Sequence, residues 1–542
     1  MGTLLKKVFS KENLPIVGIL LLAAFLRLYK IGDYMTFLGD EGRDVLVAYN
    51  ILHGHFTLLG PTASVGGFFL GPIYYYFIAP FLFLFNYDPV GPAVMIAIFG
   101  IFATFFVYKI GMEFFNKTTG IIAAALFAVS PLVIAYSRSS WNPNPMPLFT
   151  MATLYSLYKA IKKNSLMFFV ITGILYGIDL QLHYIEVFIG VVLITYILLT
   201  RILLREGVSL RRMFLQIGKD FLFLAGGFII GYSPFLAFEV RHGFPDFRSI
   251  TNFVFHSQNV GSGMNFFAMV DNVFFRVFGR LVTDFPPPEQ VSLQAHPYIA
   301  VWYYLTLLLG ILSIGLLLWQ LYSHSGKRGT SASRIEQFQK YLLIFLWFFF
   351  GVVLFGFYKK PIYDYYFEFM FPVPFLLVGN LLSFIFTKNI FAKVLGVVVF
   401  TILFAINLQA MPFRFEPNRQ MMQVREIAQF VLDQTHGKPY NFALITNGNS
   451  DQAYRYFLTV WGHPPVTIQT LLEDPKRTSV TSQLLIVCEI GDCHPLGYPL
   501  WEVAGFGRAD IAGHWNVSVL QVYKLVHYHE QANSKSQPTS NK

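Results

Sequence analysis

Apolar residues form long runs over the first 410 residues of the chain, and short polar stretches separate them. Each run is long enough for an α-helix to cross the hydrocarbon core of a bilayer, several of them only just. The runs lie near residues 15–30, 68–86, 91–110, 119–136, 146–162, 167–183, 186–203, 220–238, 298–321, 341–358, 369–387 and 391–410. This pattern predicts a polytopic α-helical membrane protein with about 11–13 spans.

Basic loops set the expected orientation, because Lys and Arg are enriched on the cytoplasmic side of a membrane. The basic stretches are 159–163, 201–219 and 327–340. Counting crossings from them predicts a cell-membrane protein with a cytoplasmic N-terminus and two large extracytoplasmic loops, 31–67 and 239–297. The shorter outer segments are 137–145, 181–184 and 359–368.

The N-terminal third presents a parity problem. If the N-terminus and the Lys109–Lys117 turn are both cytoplasmic, an even number of spans must separate them, but the pattern shows three. Either 68–86, which glycines and prolines interrupt, is not a full span, or Lys109 and Lys117 snorkel on the outer side. Residues 31–67 are extracytoplasmic in both cases.

The pattern changes after residue 410. Runs typical of helices, at 418–434 and 451–460, now occur together with runs typical of strands, at 441–446, 484–488 and 517–525. We therefore predict a transmembrane domain over 1–410 and a small extracytoplasmic α/β domain over 411–528. The polar residues 529–542 are expected to form a disordered tail.

Composition agrees with the membrane interpretation and excludes a soluble enzyme, a disordered protein and a disulfide-stapled secreted module. Hydrophobic residues make up 55% and charged residues 13%, whereas a soluble protein has about 25% charged residues. The net charge of +10 reflects the basic cytoplasmic loops, so no nucleic-acid partner is expected. Cys488 and Cys493 lie on the oxidising side, where they can form a disulfide or remain two buried thiols.

The densest outer group of charges is Asp40, Glu41, Arg43 and Asp44. Apolar positions over 45–52 predict a short amphipathic helix in the outer interface, with the charges at its N-terminus. Asp40, Arg43 and Asp44 then share one helix face. A carboxylate there can act as a general base, which makes Asp40 and Glu41 the candidate catalytic residues. The alternative, stronger for Glu41, is that they cap the helix.

Other outer charges run against the positive-inside bias and suggest an anionic ligand such as a lipid-linked phosphate. The candidate phosphate ligands are Arg43, Arg138, His183, Lys359 and Lys360. Plainer roles are open for each: Arg138 can pair with a lipid phosphate, His183 can be a satisfied helix-end histidine, and the two lysines can snorkel. The candidate substrate-binding residues are Asp44, Tyr74, Asn142, Glu239 and Tyr363.

In their order along the chain these features resemble the GT-C membrane glycosyltransferases. The branch they resemble contains the protein O-mannosyltransferases (glycosyltransferase family 39) and the bacterial lipid A aminoarabinose transferases. The resemblance covers about the first 250 residues. It rests on Leu26-Arg27-Leu28 at the end of the first span, Asp40-Glu41, Pro72–Tyr76, Ser130-Pro131 with Arg138, and Ser233-Pro234 followed by Glu239.

The resemblance implies transfer of a sugar from a polyprenyl-phosphate donor to an acceptor on the outer side. It also implies that Asp40 is the base and that basic interface residues bind the donor phosphate. The chain departs from the aminoarabinose-transferase pattern at Gly71 and His183, each in place of a lysine, and at Asn142 and Asn144 in place of an aspartate. Lipid A is therefore not the expected acceptor.

The resulting hypothesis is an inverting glycosyltransferase whose acceptor is a protein, a glycolipid or a wall polymer, with membrane lipids as further partners. No cofactor or metal is expected, although Asp40, Glu41 and Asp44 leave a divalent cation open. The alternatives are a polytopic transporter or flippase of a lipid-linked or polyanionic substrate, and a ligand sensor. A transporter would carry charges midway across the membrane, whereas most charges here lie at span ends.

Overall fold

The computed structural model describes residues 10–63, 66–203, 209–256, 265–294, 296–325, 332–358 and 360–528. The chain divides into two compact units. The membrane unit contains Met1–Met35 and Ala48–Asn418, and the C-terminal unit contains Thr36–Val47 and Arg419–Lys542.

Helices make up the membrane unit, together with 3₁₀ turns such as Tyr184–Glu186 and Asp364–Met370. Its α-helices are α1 (Leu14–Leu28), α2 (Ile31–Tyr34), α3 (Gly39–Leu52, which begins in the C-terminal unit), α4 (Ile73–Leu84), α5 (Val90–Phe114), α6 (Lys117–Val129), α7 (Pro131–Tyr136), α8 (Met146–Lys163), α9 (Leu166–Leu182), α10 (Val187–Leu203), α11 (Leu210–Gly231), α12 (Ser233–His242), α13 (Pro245–His256), α14 (Phe266–Gly279), α15 (Pro297–His324), α16 (Ala332–Val353), α17 (Pro372–Ile385) and α18 (Ile390–Gln409).

Six helices among the described residues are long and apolar enough to cross a membrane. They are α5, α10 with its preceding turn, α11, α15, α16 with its following turn, and α18. The pair Asp364–Met370 and α17, bent by 59°, would be a seventh span. Shorter apolar helices are α1, α4, α6 and α9. The predicted multi-pass helical class is confirmed, but the number of spans approaches the predicted 11–13 only when the short helices are included.

Two predicted spans have different limits in the structure. The run 119–136 breaks at Ser130 into α6 and α7, because Pro131 occupies the first turn of α7. The run 220–238 starts earlier, at Leu210, and breaks at Tyr232 before α12. Proline at a helix start explains both breaks.

The basic loops predicted to be cytoplasmic meet at one end of the membrane unit. Glu113 pairs with Lys159, while Glu336 pairs with Lys162 at 2.7 Å and with Lys340 at 2.8 Å. The turn around Glu113 therefore lies at the same end as these loops. Helix α4 has 12 residues and spans about 18 Å, less than the bilayer core of about 30 Å. Both observations favour the interpretation that 68–86 is not a full span.

The C-terminal unit is a small α/β domain, as predicted. Its elements are α19 (Gln420–Thr435), β1 (Asn441–Ile445), α20 (Gln452–Val460), β2 (Gln483–Cys488), α21 (Trp501–Phe506), β3 (Ala509–Val517) and β4 (Leu520–His527). The sheet has the order β1-β2-β4-β3. Strands β1 and β2 are parallel and fully buried, and β4 is antiparallel to both of its neighbours. A disulfide joins Cys488 and Cys493.

The predicted domain bounds differ from those of the structure in two places. The C-terminal unit begins at Arg419 rather than 411, and it also takes in Thr36–Val47, which the sequence assigned to an outer loop of the transmembrane domain. The physical reason is Phe37, whose buried ring lies 5.6 Å from the Phe457 ring. The predicted strand 517–525 corresponds to β4, and the strand β3 that precedes it in the same hairpin was not predicted. The predicted tail, 529–542, lies outside the described residues.

Candidate functional site

Helix α3 begins with Gly39-Asp40-Glu41-Gly42, and both glycines lie against the start of α20. A Cβ on Gly39 would lie 2.2 Å from Ser450 Oγ, and a Cβ on Gly42 would lie 2.2 Å from the backbone nitrogen of Ala453. Real Cβ atoms do not approach other atoms this closely, so only glycine allows the contact. The glycines therefore fix which face of the first turn of α3 packs against Ser450 and Ala453.

Asp40 lies on the other side of this turn, with 55% of its side chain exposed. Arg43 Nη1 donates to Asp40 Oδ1 at 2.8 Å, as the i, i+3 spacing predicts. The same guanidinium donates through Nε and Nη2 to Asp44 Oδ1, at 2.9 and 2.7 Å. Asp40 thus combines solvent access with a fixed orientation, which a general base requires. Arg43 already holds two carboxylates, so a phosphate would have to compete with them for this predicted ligand.

Glu41 performs the capping role that the sequence left open. Its Oε2 accepts a hydrogen bond from the backbone nitrogen of Leu38 at 3.0 Å, the return half of a capping box. Burial raises the pKa of Glu41 to about 7 and that of Asp44 to about 7. Asp40 is therefore the exposed carboxylate of the three, while Glu41 and the predicted substrate ligand Asp44 are buried.

The membrane unit contains its own buried cation, Arg138. Its Nη1 donates to the Leu26 carbonyl at 2.8 Å and its Nη2 to the Tyr29 carbonyl at 2.7 Å. The guanidinium lies 4.7 Å from the centroid of the Phe413 ring. Burial lowers the pKa of Arg138 to about 10, so the group stays charged at neutral pH.

Arg27 is a second buried arginine, and no role was predicted for it beyond its place in the Leu26-Arg27-Leu28 motif. Its Nη1 donates to the carbonyls of Ala23 and Ala128, at 3.3 and 3.1 Å. Within the described part of the chain, neither Arg27 nor Arg138 forms a salt bridge with a carboxylate, and Nε of both lacks a hydrogen-bond partner. A charge inside an apolar run was the signal that could have identified Arg27.

A surface groove of about 510 Å³ adjoins Arg138 through Phe413. Gln409, Met411, Phe413 and Arg414 line it, and Arg414 is exposed. Arg414 was not among the predicted phosphate ligands. The groove thus presents one arginine at its surface and a second behind the aromatic ring.

His183 does not suit the predicted phosphate contact. It is buried, its Nδ1 accepts from the Ile185 amide at 3.3 Å, and its ring stacks on Tyr184 at 4.5 Å. Burial lowers the pKa of His183 to about 3, so the ring is neutral at physiological pH. Of the predicted lysine ligands, Lys360 is half-buried, and Lys359 lies outside the described residues.

The other predicted substrate residues of the membrane unit are dispersed. Tyr74 and Asn142 are buried, with the Tyr74 hydroxyl 2.7 Å from Ser140 Oγ and Asn142 Nδ2 donating to the Leu182 carbonyl at 2.7 Å. The Glu239 carboxylate accepts from the backbone nitrogens at the start of α13, so it caps that helix. Tyr363 is exposed and stacks on Tyr365. Tyr363 is therefore the most accessible of these four.

Buried carboxylates inside the membrane unit were also missed. The Thr150 hydroxyl lies 3.1 Å from Asp179 Oδ2 and 2.9 Å from Glu186 Oε1. Both oxygens of the buried Glu368 lack a hydrogen-bond partner among the described residues. No group of three or more His, Cys, Asp or Glu side chains in the described ranges could hold a metal ion, the Asp40 cluster included.

Comparison with known proteins gives one family match and several structural matches. A family model described as dolichyl-phosphate-mannose-protein mannosyltransferase matches residues 70–218. No curated protein matches the chain in sequence. ArnT from Cupriavidus metallidurans bound to undecaprenyl phosphate is similar with a TM-score of 0.58 and 12% identity, over 94% of this chain and 97% of ArnT. The same enzyme in the apo state gives 0.56 and 14%, over 94% and 96%. The archaeal oligosaccharyltransferase AglB from Archaeoglobus fulgidus, in complex with an inhibitory peptide and a dolichol-phosphate, gives 0.52 and 12%, over 89% of this chain and 70% of AglB.

Proposed function

We propose that this chain transfers a sugar from a polyprenyl-phosphate donor to an acceptor on the extracytoplasmic side. The chain has the fold of the GT-C membrane glycosyltransferases of the mannosyltransferase and ArnT type. The transfer inverts the anomeric centre, and Asp40 is the general base. The observation that carries the proposal is the exposed Asp40 carboxylate, held by Arg43 at the first turn of α3.

The donor class is supported by two of the similar structures. One is described as bound to undecaprenyl phosphate and another as bound to a dolichol-phosphate. The description of the matching family model names dolichyl-phosphate-mannose. All three are lipid phosphates, so this chain is proposed to use the same chemical class.

In the proposed reaction, Asp40 accepts the proton of the acceptor's hydroxyl or amine as that group attacks the anomeric carbon. The bond between this carbon and the phosphate oxygen breaks, and its electron pair stays on the oxygen. A phosphate leaves as an anion and needs no proton, so no second carboxylate is required. Arg43 orients Asp40 and limits the loss of side-chain freedom when the acceptor binds.

For the leaving phosphate, the membrane unit provides buried arginines. Arg27 and Arg138 lack carboxylate partners among the described residues, and a buried charge without a counter-ion is unfavourable. An anion at the groove bearing Arg414 would relieve this cost, and fixed cations stabilise a leaving group as its charge develops. Arg138 and Arg414, with Lys360 as a further candidate, are thus the proposed phosphate contacts.

The first test is Asp40→Asn in the purified full-length protein. The substrate is a polyprenyl phosphate carrying a radiolabelled sugar, supplied with a membrane extract as the acceptor source. Loss of a general base lowers the rate by about 10²- to 10⁴-fold. The control is Asp510→Asn, which makes the same change at an exposed position of β3. Transfer by the Asp40→Asn variant at the wild-type rate would exclude Asp40 as the base.

The acceptor is found by a separate experiment. Glycoproteins, glycolipids and wall polymers of cells lacking the gene are compared with those of the parent by mass spectrometry. The expected result is loss of one sugar from one of these classes, restored by the wild-type gene and not by the Asp40→Asn gene. Unchanged glycans in all three classes would contradict the proposed function.

A further inference from the structure

We propose that Asn449 and Glu489 of the C-terminal unit are positioning residues, which hold the N-terminus of α3 and thereby orient Asp40. This inference rests on the proposed role of Asp40 as the base. It assigns the C-terminal unit a part in the reaction, beyond any contact with the acceptor.

Asn449 forms the direct contact with α3. Its Oδ1 accepts from the Gly39 nitrogen at 2.9 Å and from the Ser450 nitrogen at 2.8 Å. Gly39 is the first residue of α3, and the first amides of a helix lack partners within the helix. Asn449 therefore caps α3 from a distant part of the chain. The amide that it caps belongs to Gly39, the residue directly before Asp40.

Glu489 fixes the Asn449 side chain. Asn449 Nδ2 donates to both Glu489 carboxylate oxygens, at 3.0 and 3.1 Å. The same carboxylate accepts from the Thr446 hydroxyl at 2.7 Å and from the Tyr454 hydroxyl at 3.2 Å. The amide of Asn449 can therefore not rotate without losing charge-assisted hydrogen bonds.

The sheet brings these two residues together. Asn449 follows β1 and Glu489 follows β2, and the two strands are parallel, so their carboxyl ends meet at one edge. The backbone nitrogen of Glu489 also donates to the Ile445 carbonyl at 2.9 Å. The contact with α3 is thus built on the buried, rigid part of the domain.

A purely structural role would not require this arrangement. Glu41 already caps the turn through the Leu38 nitrogen, and Phe37 already anchors the segment in the aromatic pocket of Tyr456 and Phe457. The Asn449 contact adds control over the rotation of the turn that carries Asp40. A displacement of about 1 Å at a reacting group can lower a rate by about 10²-fold.

The test uses the full-length protein and exchanges the polarity of the pair. Asn449→Asp keeps an acceptor for the Gly39 nitrogen but places two carboxylates face to face. Adding Glu489→Gln gives a side-chain amide that donates to the new carboxylate, so the double variant restores the hydrogen bond in reverse. Asn449→Ala removes the contact, and Asn516→Ala at an exposed position of β3 is the matched control.

Two assays are carried out on each variant. The first measures kcat and KM for the polyprenyl-phosphate sugar. The second is the rate of amide hydrogen exchange over residues 36–47, followed by mass spectrometry, which requires no activity. We expect Asn449→Ala and Asn449→Asp to lower kcat about 10- to 100-fold, with KM for the donor unchanged and faster exchange over 36–47. The double variant should recover most of both, and Asn516→Ala should match the wild type.

Unchanged exchange over 36–47 in Asn449→Ala would overturn the proposed contact. Faster exchange with an unchanged kcat would overturn the positioning role. If Asn449→Ala does not fold, Asn449→Asp and the double variant decide the question, because failure of the second substitution to restore kcat would contradict the inference. If the wild type transfers no sugar, the proposed function fails, while the exchange rates still decide whether Asn449 holds α3.

Discussion

Neighbouring carboxylates at the start of α3 have different surroundings and therefore different properties. Asp40 faces solvent beside Arg43, whereas Glu41 and Asp44 are buried. The sequence predicted that Asp40, Arg43 and Asp44 share a face, because that follows from helix periodicity. It also favoured capping for Glu41 over Asp40, but it did not predict that Glu41 and Asp44 are buried, because burial depends on residues that are far away along the chain.

The raised pKa of Glu41 predicts a pH-dependent stability. The pKa is about 7 in the folded protein and about 4.3 in the unfolded chain. Between these values the unfolded chain loses the proton while the folded protein keeps it, so the free energy of unfolding falls as pH rises from about 4 to about 7. The contribution lost is on the order of 4 kcal/mol. Asp44, also raised to about 7, adds a fall of the same sign.

Glu41→Gln should reduce this fall in the free energy of unfolding by about half, because only Asp44 then titrates in this range. The variant should still fold, because Gln can accept from the Leu38 nitrogen. The measurement is the thermal unfolding midpoint of the purified protein at several pH values between 4 and 8. Glu426→Gln, at an exposed position of α19, is the matched control and should leave the profile unchanged. Identical pH profiles for the Glu41→Gln variant and the wild type would show that Glu41 is not buried as described.

At the scale of elements, the apolar runs of the sequence predicted the helices well. Each predicted span contains at least one helix, because long apolar runs are the sequence signature of membrane helices. The breaks at Ser130 and Tyr232 were missed, although Pro131 and Pro234 were visible. Strand β3 was missed because most of its residues are exposed, so it lacks the apolar alternation on which strand prediction depends.

The close packing of α3 on α20 was beyond the reach of the sequence. The sequence does not distinguish Gly39 and Gly42 from other glycines, because the residues of α20 that pack against this turn are far away along the chain. Asn449 and Glu489 were hidden for the same reason. In the sequence, residues 447–450 are only the short connection between the predicted runs 441–446 and 451–460, whereas in the structure the Asn449 side chain of this connection caps α3.

Gly42→Ala tests this packing. Alanine favours a helix by about 1 kcal/mol over glycine, yet at this position its Cβ would overlap the Ala453 backbone. Overpacking of this kind costs about 1–3 kcal/mol, so we expect a lower unfolding midpoint and faster amide exchange over 36–47.

The matched control is Gly218→Ala in α11, where a Cβ would meet no atom within 4 Å. This variant should be as stable as the wild type or more so. A Gly42→Ala protein with the same unfolding midpoint and the same exchange rates as the wild type would disprove the close contact of α3 with α20.

At the scale of the whole molecule, the chain is a multi-pass membrane protein with a compact C-terminal unit. The structure groups the basic loops at one end of the membrane unit. The orientation of that end remains the prediction of the positive-inside rule, because length and hydropathy define the spans but not the side on which each loop lies.

Cysteine labelling in intact cells tests the orientation. Positions are chosen for exposure, since Arg138 and Glu239 are buried. Cysteines replacing Asp40, Arg241 and Arg414 should react with a membrane-impermeant maleimide, and those replacing Lys163 and Arg211 should react only after permeabilisation. Native Cys488 and Cys493 are joined to each other and give no background. Labelling of position 163 in intact cells would reverse the orientation.

The inclusion of Thr36–Val47 in the C-terminal unit has a genetic consequence. A premature stop codon shortly before Arg419 would leave every apolar helix encoded, and the shortened polypeptide could still enter the membrane. It would nevertheless lack the surface against which Phe37, Gly39 and Gly42 pack. Such an allele is expected to behave as a null, and supplying the missing domain as a separate soluble polypeptide is a direct route to complementing it.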